Sequence, residues 1–278
     1  MNFGVALSRV NPAYFVDVAV EADRLGFESV WLAEHLVFPV EMTGQLVPGE
    51  DHPPVPPSTP VFDAAAYLSF LAARTEQIRL GTYVYLLGLR HPFVSARAFA
   101  TLDVVSGGRA EVGVGAGWLL DEWVAAGLDP GERGRRLDEA IDVCRLLWAD
   151  EVIDFHGEFF DFEPVMFEPK PVQQPLPVLV GGESARALRR AAEKAEGWIG
   201  MAHTPESLAA RVGELRAAEA GAGRVDRPLQ VSCAGRVDST SDVERFAAAG
   251  CDRLIVSPWS RSSDAVASLR EFAERFLA

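Results

Sequence analysis

The chain has 278 residues, 49% hydrophobic and 24% charged, so it can bury a large core and has an ordinary globular composition. Its formal net charge of −14 argues against a general nucleic-acid surface, because such surfaces need basic patches to neutralise phosphates. The sequence contains no apolar run near the roughly 20 residues of a membrane helix and no signal-peptide pattern, so we expect a cytoplasmic protein without membrane contact.

Eight apolar, β-rich runs recur along the chain, separated by amphipathic helical stretches. Strands that are apolar on both faces and each followed by a helix are typical of a parallel sheet covered by helices. The runs are 3–8, 28–33, 78–84, 109–115, 177–181, 197–201, 229–235 and 253–257. We therefore predict a single (β/α)8 TIM-barrel domain over residues 1–278, with its functional site at the carboxyl ends of the strands.

Residues typical of helix caps mark several predicted helix ends. Gly26 and Gly250 follow apolar helical stretches, where a glycine can take the left-handed conformation that ends a helix. Thr204-Pro205 predicts a helix start, and Ser241 with Glu244 reads as a capping box.

Glu34 and His35 stand at the tip of the second predicted strand. A histidine there projects into the barrel mouth, where a side chain that titrates near neutrality suits proton transfer. A lone histidine is more often structural, but the strand-tip position and the adjacent carboxylate favour a catalytic role for this one.

Residues 36–62 interrupt the pattern with seven prolines, which exclude a regular helix or a central strand. This insertion follows strand two on the functional side of the barrel, so we interpret it as an active-site wall or lid; a mobile spacer is the alternative. Its possible substrate contacts are apolar (Phe38, Met42, Val55) and polar (Glu50, Asp51, His52).

Two glycine segments follow later strands. GVGAGW (113–118) has alternate glycines where bare backbone could approach a planar ring or a phosphate, although tight turning explains it equally well. Gly181-Gly182-Glu183-Ser184 opens a helix, whose free N-terminal amides are a standard anion site. The arginines at 186, 189 and 190 either add positive charge to that site or lie on a solvated helix face.

Between these segments, residues 152–163 alternate apolar and polar side chains around His156-Gly157. This pattern predicts a β-hairpin, which we expect to cap the barrel mouth. The three scattered cysteines, Cys144, Cys233 and Cys251, match neither a disulfide framework nor a metal-binding spacing, so we read them as reduced core thiols and predict no metal site.

At these residues the sequence resembles the luciferase-like monooxygenase superfamily, and most closely its deazaflavin (coenzyme F420)-dependent oxidoreductases. The resemblance runs nearly end to end and rests on many segments in the right order. They include GFESVWLAEHL (26–36), FATLDVVSGGR (99–109), EVGVGAGWLLDEW (111–123), FHGEFFDF (155–162) and PVLVGGESARALRRAAEKAEGW (177–198).

The resemblance implies roles for individual residues. His35 matches the active-site histidine near the reactive face of the ring, and Glu34 matches the acidic residue beside it. Tyr83-Val84 matches a strand-three bulge behind the ring, which in relatives contains a non-proline cis peptide. The remaining matches are Gly115, Ala116 and Gly117, on a cofactor-contacting segment, and Gly181 and Gly182, on the phosphate-binding turn that Glu183 and Ser184 continue.

One position departs from the pattern. Trp118 stands where the F420-dependent sugar-phosphate dehydrogenases have a catalytic glutamate directly after the glycine segment. This difference argues against a sugar-phosphate substrate and against a glutamate proton donor at this place.

The resemblance implies hydride transfer between F420 and a small organic substrate, with His35 exchanging the accompanying proton and Glu34 orienting it or tuning its pKa. One alternative is an FMN-dependent monooxygenase, which would use reduced flavin and O2 and need a separate flavin reductase. A non-enzymatic alternative is a flavin-binding sensory barrel, which would lack a proton-handling residue in the mouth. Members often pair, so a homodimer is also expected.

Overall fold

The computed structural model describes residues 1–42, 46, 55–224 and 226–277. Glu50, Asp51 and His52, the polar residues singled out in the insertion, lie outside the described residues.

A closed parallel barrel forms the centre of the molecule. In chain order the strands are β1 (Asn2–Ala6), β2 (Ser29–Leu32), β3 (Arg79–Thr82), β4 (Ala110–Val114), β5 (Val152–His156), β6 (Asp161–Met166), β7 (Val178–Gly181), β8 (Gly197–Ala202), β9 (Gln230–Ala234) and β10 (Arg253–Val256). All except β5 and β6 join the barrel, in which β4 pairs directly with β7 and β10 closes the ring on β1. The predicted (β/α)8 barrel is confirmed, and every predicted barrel strand is present.

Helices surround this barrel. They are α1 (Phe15–Leu25), α2 (Ala64–Ala72), α3 (Pro92–Ser106), α4 (Leu120–Ala125), α5 (Arg133–Ala149), α6 (Ala185–Lys194), α7 (Pro205–Gly221), α8 (Thr240–Ala248) and α9 (Ala265–Phe276). Among the described residues, no helix combines the length and the apolar character needed to cross a membrane.

The predicted helix boundaries are correct at three places and displaced at one. Gly26 ends α1 with a φ of 84°, Gly250 follows α8 with a φ of 90°, and Thr204 caps α7. The capping box of α8 is formed by Ser239 and Asp242, two residues before the predicted pair. Both stretches have a serine three residues before an acidic side chain, and α8 begins at the earlier one.

A charged layer closes the amino-terminal end of the barrel. Arg253, the first residue of β10, is buried and bonds to the carboxylates of Glu28 and Glu111, with 2.8 Å from its Nη1 to Glu111 Oε2. Above this layer lies the Trp31 ring, 5.1 Å from the Arg253 guanidinium. Gly81 leaves the space for that ring, since a Cβ at this position would overlap it. The barrel interior is therefore filled below the mouth.

The predicted β-hairpin is formed by the antiparallel strands β5 and β6. Glu139 on α5 accepts hydrogen bonds from the backbone amides of Glu158 (2.6 Å) and Phe159 (2.9 Å) at the hairpin turn. Phe162 of β6 stacks edge-on against Phe93 of α3, with 4.8 Å between ring centroids. The hairpin thus packs on α3 and α5 in the helical ring, rather than across the strand ends as predicted.

Candidate active site

Glu34 and His35 lie just beyond β2, after Ala33, and their side chains have different partners. Glu34 is buried; it accepts a hydrogen bond from the Leu86 amide (2.9 Å) and forms an ion pair with Arg90. Burial raises the pKa of the Glu34 carboxyl, while Arg90 and the Leu86 amide act against that rise. Glu34 therefore ties the end of β2 to the segment after β3.

His35 pairs with Glu122 of α4. The His35 Nδ1 atom lies 2.8 Å from Glu122 Oε2, and the other carboxylate oxygen accepts a hydrogen bond from the Leu36 amide. Glu122 is fully buried. The expectation that Glu34 orients His35 is thus wrong, because both oxygens of Glu34 are engaged elsewhere and Glu122 makes the contact.

Sequence reasoning missed Glu122, although it lies in the quoted segment GWLLDEW (117–123). The available signal was an acidic side chain inside an apolar stretch just after a strand end. Its neighbour Trp123 is also fully buried and donates from Nε1 to the Ala116 carbonyl at 3.1 Å. This contact anchors α4 to the segment that leaves β4.

Two aromatic rings lie against the His35 imidazole. Phe38, from the start of the insertion, is 4.6 Å from it between ring centroids. Trp118 meets it edge-on at 5.7 Å and an interplanar angle of 82°. Both rings are half-buried, so the surroundings of His35 are largely apolar.

Tyr83 and Val84 form the floor of the mouth. Their peptide bond is cis, as the resemblance implies. The Tyr83 hydroxyl donates across the barrel to the Gly200 carbonyl in β8, and burial raises the pKa of this hydroxyl. Val84 fits between two glycines, since a Cβ on Gly115 would lie 2.5 Å from Val84 Cγ2 and one on Gly181 would lie 2.7 Å from Val84 Cγ1.

The two glycine segments flank this floor. Gly117 has a φ of 79° and Gly182 a φ of 116°, both in the region that favours glycine. The Ala116 and Gly182 carbonyls accept hydrogen bonds from buried tryptophan side chains, so these turns are held in place. Two glycine-containing turns therefore border the floor on two sides.

The residues after Gly182 have structural partners. Ser184 caps α6 by accepting from the Ala187 amide at 3.2 Å. Glu183 accepts from the Met201 amide at 2.7 Å and lies 3.3 Å from His203 Nε2. Burial opposes ionisation of Glu183, but these hydrogen bonds bring its pKa below the ordinary value. The Glu183 side chain thus stabilises the turn.

Of the three arginines on α6, Arg190 forms an ion pair with Asp138 of α5. Arg186 and Arg189 are exposed, and Arg186 lies in the first turn of the helix beside the Gly181-Gly182 turn. The described residues contain no group of three or more His, Cys, Asp or Glu side chains suited to a metal ion.

Sequence comparison matches the chain to one family model and to relatives over most of its length. The sequence model of the luciferase-like monooxygenase family matches residues 1–275. An uncharacterised protein of Mycobacterium tuberculosis is 27% identical over 295 residues, covering 100% of this chain and 99% of the relative. An F420-dependent glucose-6-phosphate dehydrogenase of Kineococcus radiotolerans is 29% identical over 253 residues, covering 88% of this chain and 70% of the relative.

Solved structures share the fold. An F420-dependent secondary alcohol dehydrogenase in complex with an F420-acetone adduct superimposes with a TM-score of 0.81 at 19% identity, covering 99% of this chain and 98% of that one. The oxygenating constituent of a type II Baeyer-Villiger monooxygenase of Pseudomonas putida, in complex with FMN, gives a TM-score of 0.65 at 16% identity, covering 84% and 66%.

Proposed function

The chain belongs to the luciferase-like monooxygenase family, and from that premise we propose that it transfers hydride between coenzyme F420 and a small organic substrate. It is an oxidoreductase whose relatives and structural neighbours use F420 or FMN. The observation that carries the proposal is His35 at the tip of β2. Its Nδ1 is bound to Glu122, and its Nε2 has no hydrogen-bond partner among the residues described.

The geometry of the mouth fits a deazaflavin. The ring would lie on the Tyr83-Val84 floor, which Gly115 and Gly181 hold in place by leaving room for the Val84 side chain. The bound cofactor supplies a carbon that accepts or donates a hydride. F420 carries a longer acidic tail than FMN, and the exposed Arg186 would supply positive charge to a tail that passed the first turn of α6.

His35 handles the proton of the reaction. In the oxidising direction the substrate carbon loses a hydride, the hydroxyl proton passes to His35 Nε2, and a carbonyl forms. Reduction reverses each transfer, so protonated Nε2 returns the proton to the oxygen. Phe38 and Trp118 border the His35 imidazole with apolar surface, which would limit the access of water to the exchange.

The alternative is an FMN-dependent monooxygenase, favoured by the FMN-containing structural neighbour. It would use O2 and a separate flavin reductase. A sensory barrel without chemistry has less support, because the buried Glu122 beside His35 has no evident use in such a protein.

Two tests address this proposal. We expect apo-protein titrated with oxidised F420 and with FMN, followed by fluorescence quenching, to show micromolar or tighter F420 binding and much weaker FMN binding. The reverse order would assign the protein to the FMN monooxygenases.

The second test replaces His35 by alanine. In a panel of small alcohols and ketones, we expect His35→Ala to lower F420-linked turnover by about 10²–10⁴ with cofactor affinity nearly unchanged, as for the loss of a general acid or base. His156→Ala, in the exposed hairpin, is the matched control and should turn over normally. A His35→Ala variant with unchanged turnover would remove His35 from the mechanism.

We also propose that the protein is a homodimer. α2 and α3 pack side by side, and large apolar side chains are exposed on these helices and just before α2; Phe62, Phe70, Val94 and Val105 are 39–60% exposed. A second copy would cover this surface. The three cysteines are free and buried, which supports the proposed cytoplasmic location, where thiols stay reduced.

A further inference from the structure

Glu122 is a buried carboxylate in the mouth that the reaction proposed above does not use. We propose that Glu122 is a positioning residue that fixes the proton on His35 Nδ1 and thereby makes Nε2 the atom that exchanges protons with the substrate. This inference rests on the proposed function, because it assigns the tautomer of His35, the side chain that exchanges the proton.

The contacts of Glu122 dictate the tautomer. Its Oε2 lies 2.8 Å from His35 Nδ1, while Oε1 accepts from the Leu36 amide and, at 3.4 Å, from the Val37 amide. An ionised carboxylate only accepts hydrogen bonds, so Nδ1 must be the donor. In a neutral imidazole the proton then sits on Nδ1, and Nε2 keeps its lone pair.

The same contacts fix the position of the ring. Leu36 and Val37 begin the insertion, so one carboxylate holds both the imidazole and the chain that leaves β2. Glu122 is itself held by α4, which the buried Trp123 anchors to the Ala116 carbonyl. The negative charge also stabilises the imidazolium that forms when Nε2 takes a proton, as in other histidine–carboxylate pairs.

Glu34 cannot substitute for Glu122. Its two oxygens bind the Leu86 amide and Arg90, and its charge is balanced by that arginine. The two carboxylates at the tip of β2 therefore have separate uses. Glu34 joins the segment after β3 to the end of β2, and Glu122 determines which imidazole nitrogen of His35 carries the proton.

The tautomer can be measured without cofactor or substrate. In apo-protein carrying 15N-labelled histidine, at a pH where the ring is neutral, we expect His35 to show protonated Nδ1 and bare Nε2. His35→Ala identifies the resonance by its loss. In Glu122→Gln the Nε2-protonated form should become a major species, because an amide can donate to Nδ1 as well as accept. A wild type in which Nε2 is already protonated would overturn the proposal.

Turnover gives the second readout, on the panel substrate that the wild type converts fastest. We expect Glu122→Gln to lower kcat by about 10²–10³, with KM and F420 affinity changed less than about threefold. In a His35→Ala background the same substitution should cost nothing further, because the residue acts through His35. Additive losses, or wild-type kcat in Glu122→Gln, would overturn the proposal.

Two further variants complete the design. Glu219→Gln removes another buried carboxylate, near the carboxyl end of α7. It shows how much the loss of a buried carboxylate away from His35 lowers stability and kcat. If Glu122→Gln does not fold, Glu122→Asp keeps the charge one methylene further back and should give mixed tautomers with an intermediate kcat. Normal turnover by His35→Ala would reject the proposed function itself, whereas loss at His35 without loss at Glu122 would reject only this inference.

Discussion

Val84 occupies the space that Gly115 and Gly181 leave open in the floor of the mouth. We expect Gly115→Ala to push Val84 upward, because the new Cβ would lie 2.5 Å from its Cγ2. Overpacking of this kind costs about 1–3 kcal/mol of folding free energy, and a raised floor should weaken F420 binding by about tenfold. Fluorescence titration and thermal unfolding measure the two effects.

Gly213→Ala is the matched control for this substitution. Gly213 lies exposed in the middle of α7, and a Cβ there meets nothing within 4 Å. Alanine at this position should raise stability by about 0.5–1 kcal/mol and leave F420 affinity unchanged. Unaltered F420 affinity in Gly115→Ala would mean that the cofactor does not rest on Val84.

His35 was predictable from sequence and its true partner was not. A histidine at a strand tip can be placed in the mouth from the strand pattern alone. Adjacency in the sequence predicts Glu34 as its partner, but the Glu34 side chain turns instead to the Leu86 amide and Arg90. Glu122 comes from a helix 87 residues further on, and no local pattern brings the two together.

At the scale of elements, the strands were the most predictable part. Barrel strands are short apolar runs separated by helical stretches, and each of the eight predicted runs overlaps one barrel strand. The hairpin was found but misplaced, because alternation gives strands and a turn without saying which surface they cover. Its position depends on Glu139 of α5 and Phe93 of α3, contacts between distant elements that the sequence pattern does not encode.

The proposed dimer is tested on α2 and α3. Phe70, 48% exposed on α2, faces solvent in the single chain. We expect Phe70→Glu to convert the dimer to a monomer, because two charges would be buried at a symmetric interface. Sedimentation or light scattering gives the mass. Val124→Glu, at a position 63% exposed on α4, should remain dimeric, and a wild type that is already monomeric would contradict the proposal.

At the scale of the whole molecule, Glu21 joins the two ends of the chain. It lies on α1 and binds Arg24 on the same helix and Arg270 on α9. The hydrogen bond with Arg24, followed by that with Arg270, lowers the pKa of Glu21 from 4.5 to about 2. A depressed carboxyl pKa adds stability above the unfolded value, and this stability is lost as the pH falls through the folded value.

Glu21→Gln should therefore unfold more easily than the wild type at neutral pH, and the difference should shrink between about pH 4.5 and pH 2. Denaturant-induced unfolding of both proteins at several pH values measures this difference in the free energy of unfolding. Glu274→Gln, an exposed position on α9, serves as control and should follow the wild type. A difference that stays constant across this pH range would show that the ion pair does not join α1 to α9 in solution.

The charged layer at the amino-terminal end of the barrel was not predicted either. Glu28, Glu111 and Arg253 lie in or beside predicted strands, and sequence alone gives no reason to expect them to meet inside the barrel. Arg79 also pairs with Glu111, so two arginines balance the two carboxylates, which is how buried charges are tolerated.

The charged layer and the Trp31 ring fill the amino-terminal end of the barrel, so the mouth is the open end. Everything that enters must leave by the same route, and whatever lies deepest enters first and departs last. A ring resting on Val84 would be the deepest occupant, so the smaller reactant would arrive after it and its product would go before it. The filled amino-terminal end of the barrel would thus set the order in which cofactor and substrate bind at the mouth.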